Sequence, residues 1–219
     1  TLIWGSNAVA ARLAVGHVSP MMLTTARWAI ACLALWLVAR HQVMAYAPVL
    51  RPRWRYLVLM GTCGFTAFNA LFYAAAHHTT AVNLPLIQGV TPVLVLLGGA
   101  LFLRLKVTPL QLLGVAITLA GVAIVASRGQ WCVLAGLDFN IGDVAILLAS
   151  LLYAGYTLGL RSRPAVPPLV FFAAIAGVAA LVSLPLLAAE VLAGRFFWPT
   201  PQGWLLIVYV GLMPSFVSQ

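Results

Sequence analysis

Residues 50–61, "LRPRWRYLVLMG", set three arginines and a tryptophan directly before an apolar run. Residues 200–212, "TPQGWLLIVYVGL", repeat the Pro, Trp and Gly framework with no charge at all. Arg51, Arg53 and Arg55 admit three readings: a nucleic-acid patch, a membrane-surface anchor, or the edge of a membrane span. Comparing the two stretches decides among them.

The background settles the solvent first. The chain has 219 residues, 63% hydrophobic and only 7% charged, with mean hydropathy +1.06. Soluble domains carry about 25% charged residues, and so few charges could not cover this much apolar surface in water. The composition therefore indicates an all-α membrane protein that crosses the bilayer repeatedly. In such a chain basic residues gather in loops and set orientation, so the net charge of +9 implies no nucleic acid. Cys32, Cys63 and Cys132 are an odd number without paired spacing. They read as small apolar fillers.

A span needs about 20 apolar residues. The runs and their breaks place spans at 1–16, 20–39, 55–76, 82–103, 108–126, 141–160 and 168–189, with an eighth from about 203 onward. The first is short and lacks a basic leader. The eighth is still open at residue 219. Both ends read as cut within helices, because a helix ending in mid-bilayer would leave backbone groups unpaired in lipid.

Alternating sides at each span puts Arg40, Arg51, Arg53, Arg55, Arg104, Lys106, Arg161 and Arg163 together. Arg12, Arg128 and Arg195 fall opposite, and Arg27 lies within the second span. Eight basic residues against three is a positive-inside bias, which predicts a cytoplasmic N-terminus.

An internal repeat explains the opening pair. "IWGSNAVAAR" (3–12) aligns with "LYAGYTLGLR" (152–161), matching Trp4 to Tyr153 and Arg12 to Arg161 at an offset of 149. Pro52 matches Pro201 at 149, and Trp54 and Gly61 match Trp204 and Gly211 at 150. Five spans separate the copies, an odd number, so the second copy enters from the opposite side. Inverted repeats of this kind characterise secondary transporters, with the site near the midplane between halves. The "RPRWR" arginines are then topology anchors on the cytoplasmic copy of an element whose outer copy carries no charge.

The order of motifs resembles a known family. "WGSNAVAARLA…SP…ARWAIA", "AVNLPLIQGVTPVLVLLGGALFL", "TPLQLLGVAITLAGVAIV", "GDVAILLASLLYAGYTLGLRSR" and "YVGLMPSFVSQ" are similar to successive helices of EamA-type transporters of the drug/metabolite transporter superfamily. The resemblance implies ten helices in two inverted five-helix repeats, truncated here to about eight. Residues 1–126 would form the first repeat and 138–219 the second. Where the family often has Leu-Gly-Glu after the fourth helix, this chain has "LRLK", with Leu105 at the Glu position.

The chain carries no HExxH, GxSxG or P-loop motif, so no enzyme activity, cofactor or metal is expected. Asp138, Asp143 and Glu190, the three acidic residues, map to outer connectors or helix ends. No span holds the central carboxylate usual in ion-coupled carriers. Polar residues within the spans are the candidate substrate-binding set: Trp4, Asn7, Asn69, Tyr73, Gln88, Thr91, Tyr153, Tyr156 and Ser215. Each could instead hydrogen-bond a neighbouring helix. Together they suit a midsized, partly apolar substrate. Arg27 either snorkels to the outer headgroups or meets an anion or Asp143. His77 and His78 read as an interfacial pair, and Thr118 as scaffold. Gly155 and Gly159 form a GxxxG that packs helices within the bundle or between two copies, which leaves a homodimer open.

The expectation is a multi-pass inner-membrane carrier that exports or exchanges a small metabolite, an amino acid or drug-like compound, by alternating access. Its partners would be that small-molecule substrate and the lipid bilayer. The competing classes are a membrane-embedded enzyme and a non-transporting scaffold.

Overall fold

A computed structural model describes residues 2–80, 83–126 and 140–217 of the chain. Among the described residues every regular element is helical. In chain order they are α1 (Leu2–Ala14), α2 (Pro20–Ala45), α3 (Ala47–Ala75), α4 (Asn83–Leu103), α5 (Pro109–Ala126), α6 (Ile141–Gly159), α7 (Pro168–Leu192) and α8 (Pro201–Leu212). The α2, α3, α4 and α7 helices are long and apolar enough to cross a membrane, as is Ile141–Ser162, which contains α6. Arg128, Cys132 and Asp138 lie outside the described residues.

Helix starts follow local chemistry. Proline sits in the first turn of α2, α7 and α8, where its missing N–H costs nothing. Asn140 and Asp143 form a reciprocal capping box that opens α6, and Thr200 caps α8 through Gly203 N. In α4 the ladder is interrupted at Gly89, between Asn83–Gln88 and Thr91–Leu103. Pro92 has no N–H to give Gln88, and the Thr91 hydroxyl takes that carbonyl instead, at 2.7 Å. The carbonyl that Pro92 frees is therefore satisfied within the turn.

Two of the described segments are π-helical rather than α-helical. Within α3, Thr62–Ala67 is π-helical, and after α8 so is Met213–Val217. Such segments widen the backbone ladder and recur at functional sites. They stand about 150 positions apart, the spacing of the sequence repeat. At the glycine just before each segment, or two residues before it, the backbone closely approaches a neighbouring helix. A Cβ on Gly61 would lie 2.8 Å from Val178 Cγ1 in α7, and one on Gly211 would lie 2.9 Å from Ile30 Cβ in α2.

The core has two parts. Trp28, Leu35, Leu57, Phe65, Phe172 and Ile175 join α2, α3 and α7. Ala10, Leu23, Phe72, Ile146, Ile207 and Val210 join α1, α2, α3, α6 and α8. The α4 and α5 helices are the least covered, presenting Leu101, Phe102, Leu110 and Ile117 outward, as a lipid-facing surface would.

Candidate functional site

Burying an arginine in mid-bilayer costs about 3 kcal/mol on insertion scales, so its surroundings show what the fold invests in. Arg27 does not snorkel. It is 1% exposed and its guanidinium gathers groups from three other segments. Nε donates to Ser215 Oγ at 2.5 Å. Nη1 donates to Asn69 Oδ1 at 2.7 Å, Tyr73 Oη at 2.6 Å and Asn7 Oδ1 at 3.3 Å. Tyr73 Oη in turn donates a hydrogen bond to Asn7 Oδ1 at 3.1 Å. The Asn69 amide donates back to Phe65 O at 2.6 Å, within the first π-helical segment. Ser215 lies in the second π-helical segment and donates to Val210 O at 2.8 Å, five residues back. Both irregular segments therefore serve this node.

Four expected site residues, Asn7, Asn69, Tyr73 and Ser215, meet at Arg27. None is acidic. Asp143 is fully buried elsewhere and accepts from Thr79 Oγ1, from Asn83 Nδ2 at 3.1 and 3.0 Å, and from Asn140 N at 3.0 Å. Glu190 accepts from Ser19 Oγ at 2.6 Å and Met21 N at 3.2 Å. Neither described carboxylate bonds Arg27, and the pairing with Asp143 that sequence allowed does not form.

Beside the node lies a small cavity of about 20 Å³ lined by Arg27, Trp28, Phe65, Phe68, Tyr153 and Tyr156, with Gly64 and Asn69. Rings stack along it. Trp28 lies parallel to Phe65 at 4.4 Å, Phe65 meets Tyr156 at 5.5 Å, and Tyr153 meets Tyr156 at 5.6 Å. Gly64 permits this, since a Cβ there would come 2.3 Å from the Tyr156 ring. Phe68 and Tyr153, 5.0 Å apart, also line a second cavity of about 710 Å³ between α4, α5 and α6. Its wall includes Gln88, Thr91, Pro92, Gln111, Thr118 and Thr157. That volume is in the range of small-molecule sites.

The expected residues are thus distributed over two adjoining spaces. Asn7, Asn69, Tyr73 and Ser215 hold the node, Gln88 and Thr91 line the larger cavity, Tyr156 lines the smaller, and Tyr153 lines both. Asn7, Gln88 and Tyr156 do not share one chamber, because Phe68 and Tyr153 stand between. The Trp4 side chain lies outside the described residues. Thr118, expected as scaffold, is part of the larger cavity wall. Trp28 and Phe68 escaped sequence reading because an aromatic residue in an apolar span looks like packing. The adjacency of Trp28 to Arg27 was the available signal.

Beyond the C-terminal ends of α3 and α7, His77, His78, Glu190, Arg195 and Phe197 border a third cavity of about 510 Å³. Partial burial holds the His77 imidazole below its ordinary value. His78 and Arg12 add to the effect, and Glu190 opposes it. His77 therefore stays uncharged to a lower pH than a free histidine. Arg12 donates to Ala76 O at 2.5 Å and Thr79 O at 3.1 Å, capping the exposed carbonyls after α3. Gly159 packs on Met60, whereas a Cβ on Gly155 would meet nothing, so only half of the GxxxG is a close contact.

Comparison with known proteins agrees with this architecture. YyaM of Bacillus subtilis, an uncharacterized transporter, is 26% identical over 162 residues, 74% of this chain and 53% of its own length. The chain thus spans about half the length of that relative. YedA of Escherichia coli, an uncharacterized inner membrane transporter, is 27% identical over 99% of this chain and 68% of its own. A probable terminal-alkyne amino-acid exporter of Streptantibioticus cattleyicolor is 29% identical over 98% of this chain and 70% of its own. One solved crystal structure superposes with a TM-score of 0.75 at 21% identity, covering 98% of this chain and 71% of that one; it shares the fold. Residues 1–127 match the family described as "EamA-like transporter family", and on that match the chain belongs to the EamA-like transporter family.

Proposed function

We propose that the protein is a multi-pass inner-membrane carrier that exports or exchanges a small metabolite, an amino acid or drug-like compound, by alternating access. The observation that carries this reading is the cavity of about 710 Å³ between α4, α5 and α6, mostly apolar with amide and hydroxyl groups at its edge. It adjoins a buried polar node in a chain of the EamA family. An apolar space with a few convergent polar groups suits a small molecule better than an ion.

The repeat organisation belongs to the same proposal. Residues 1–126 and 138–219 form two inverted halves. Two features support that division: the matched π-helical segments, and the matched close approaches of Gly61 to α7 and Gly211 to α2. Widened ladders at equivalent depths in two halves give each helix a place to bend, as rocking of one half against the other requires.

Flux tests the function. The transporter in liposomes should accumulate or release radiolabelled amino acids above protein-free vesicles. Equal rates with and without protein, across amino acids and hydrophobic drugs, would refute it. Orientation is tested separately. In a background without native cysteines, a single cysteine at Gln42 or Ser162 should resist an impermeant thiol reagent in whole cells, and one at exposed His78 should react. The reverse pattern would overturn the cytoplasmic N-terminus.

A further inference from the structure

Among the described residues Arg27 is supplied with hydrogen bonds but not with a counter-charge. Its acceptors are a hydroxyl, a phenol and two amides. Neutral partners satisfy the donor directions, yet they leave a full positive charge 1% exposed. An isolated buried charge is costly, and a partner of opposite sign offsets the cost only when geometry is good. Those bonds run from Nε and Nη1 of the guanidinium.

A neighbouring side chain holds a donor with no acceptor. Trp28 is 2% exposed and its Nε1 has no partner among the described residues. A buried indole N–H normally finds one. Arg27 and Trp28 line the same small cavity. A cation whose described partners are all neutral and a neutral donor without an acceptor border one space, which describes a site for a group that is negatively charged and accepts hydrogen bonds. A single cation neutralises a single charge, which favours a carboxylate over a dianionic phosphate.

We propose that Arg27 is the counter-charge for the carboxylate of the transported molecule, with the Trp28 indole as second donor, reached from the larger cavity when Phe68 and Tyr153 separate. This rests on the carrier reading above. At about 20 Å³ the small cavity holds one water and no more, so the arrangement described here is the closed one. Phe68 and Tyr153 line both spaces and are the side chains that must move. Beyond them the larger cavity accepts the rest of the molecule. The rings of Tyr153 and Phe68 and the carboxamide of Gln88 favour an apolar or aromatic body with one polar group. The substrate class is therefore a monocarboxylate with an apolar side group, of which aromatic amino acids are the simplest test.

Ligand titration of the purified transporter, read by intrinsic tryptophan fluorescence, tests this. The probes are L-phenylalanine, 3-phenylpropionate, L-phenylalaninamide and inorganic phosphate. Both carboxylates should bind at least tenfold more tightly than the amide and than phosphate. Arg27→Gln should bring L-phenylalanine and its amide within about twofold, and Arg27→Lys should keep part of the preference. A folded Arg27→Gln protein that retains the tenfold preference overturns the proposal, as does phosphate binding more tightly than the carboxylates. If Arg27→Gln does not fold, Trp28→Phe decides. That variant keeps an aromatic ring against Phe65 and removes the N–H together with part of the indole's ring area, a loss of area that falls on carboxylates and amide alike. A severalfold loss for carboxylates alone supports the proposal, and unchanged selectivity overturns it. Flux of uncharged compounds without carboxylate preference would sink this inference and leave the carrier reading standing. Absence of any flux sinks the carrier reading and this inference with it.

Discussion

Asp143→Ala should lower unfolding stability by about 3–5 kcal/mol, measured by denaturant titration in mixed micelles. The carboxylate is fully buried and collects three donors from three segments. Thr79 comes from the turn after α3, Asn83 from the start of α4, and Asn140 from the cap of α6 itself. Hydrogen bonds to a charged group are worth about 1.5–3 kcal/mol each, and stranded buried donors add their own cost. Loss of the capping box contributes about 1 kcal/mol. These terms overlap, so the total falls below their sum. The charge also sits in the first turn of α6, where the helix dipole favours it. Gly142 next door shows how tightly the junction closes, since a Cβ there would lie 2.9 Å from both Ala75 O and Thr79 N. Asp143→Asn should be intermediate, because a carboxamide can accept at one oxygen but turns its NH2 toward donors. A loss under about 1 kcal/mol for the alanine variant would show that the network is not the clasp between α3, α4 and α6 that its geometry describes.

This clasp also marks how far sequence reading reaches. Asp143 was legible only as an acid of an outer connector or helix end, and its capping box with Asn140 was not read. That Thr79 and Asn83 point at it was not legible, since nothing local links positions sixty residues apart. The same division holds across the molecule. Spans were readable because lipid demands long apolar runs, and most observed helices begin and end within a few residues of those runs; α2 instead continues to Ala45 and α3 begins at Ala47, so the basic connector read between 39 and 55 is itself largely helical. Polar positions inside spans were readable because each is expensive in hydrocarbon. Which of them meet was not. Arg27 could be singled out, but its four acceptors lie on three other segments whose facing sides carry no signal in uniformly apolar sequence. Thr118 shows the converse: with little polar contrast around α5, its cavity side and its lipid side look alike.

Gln88→Ala should weaken substrate affinity roughly tenfold to a hundredfold while leaving the amount of folded protein unchanged. Among the described residues the Gln88 carboxamide bonds to no side chain or backbone group; its main-chain carbonyl is the part that receives Thr91. The amide faces the larger cavity, so truncation removes no structural bond. A carboxamide both donates and accepts, and losing one such contact to a bound molecule costs about 1–3 kcal/mol, which is the stated range in affinity. Asn69 makes the contrast. Its amide spans Arg27 and Phe65 O, so Asn69→Ala should lower folded yield together with flux, and its effect on affinity cannot be read alone. Gln42→Ala, which removes the same chemical group from the exposed end of α2, is the neutral control. Thr118→Ala is not, because Thr118 borders the cavity. The measurement is the concentration dependence of flux at matched levels of inserted protein, for a compound the parent carries. If Gln88→Ala matches the parent at every concentration, the space between α4, α5 and α6 faces lipid rather than substrate, and recognition is confined to the Arg27 node.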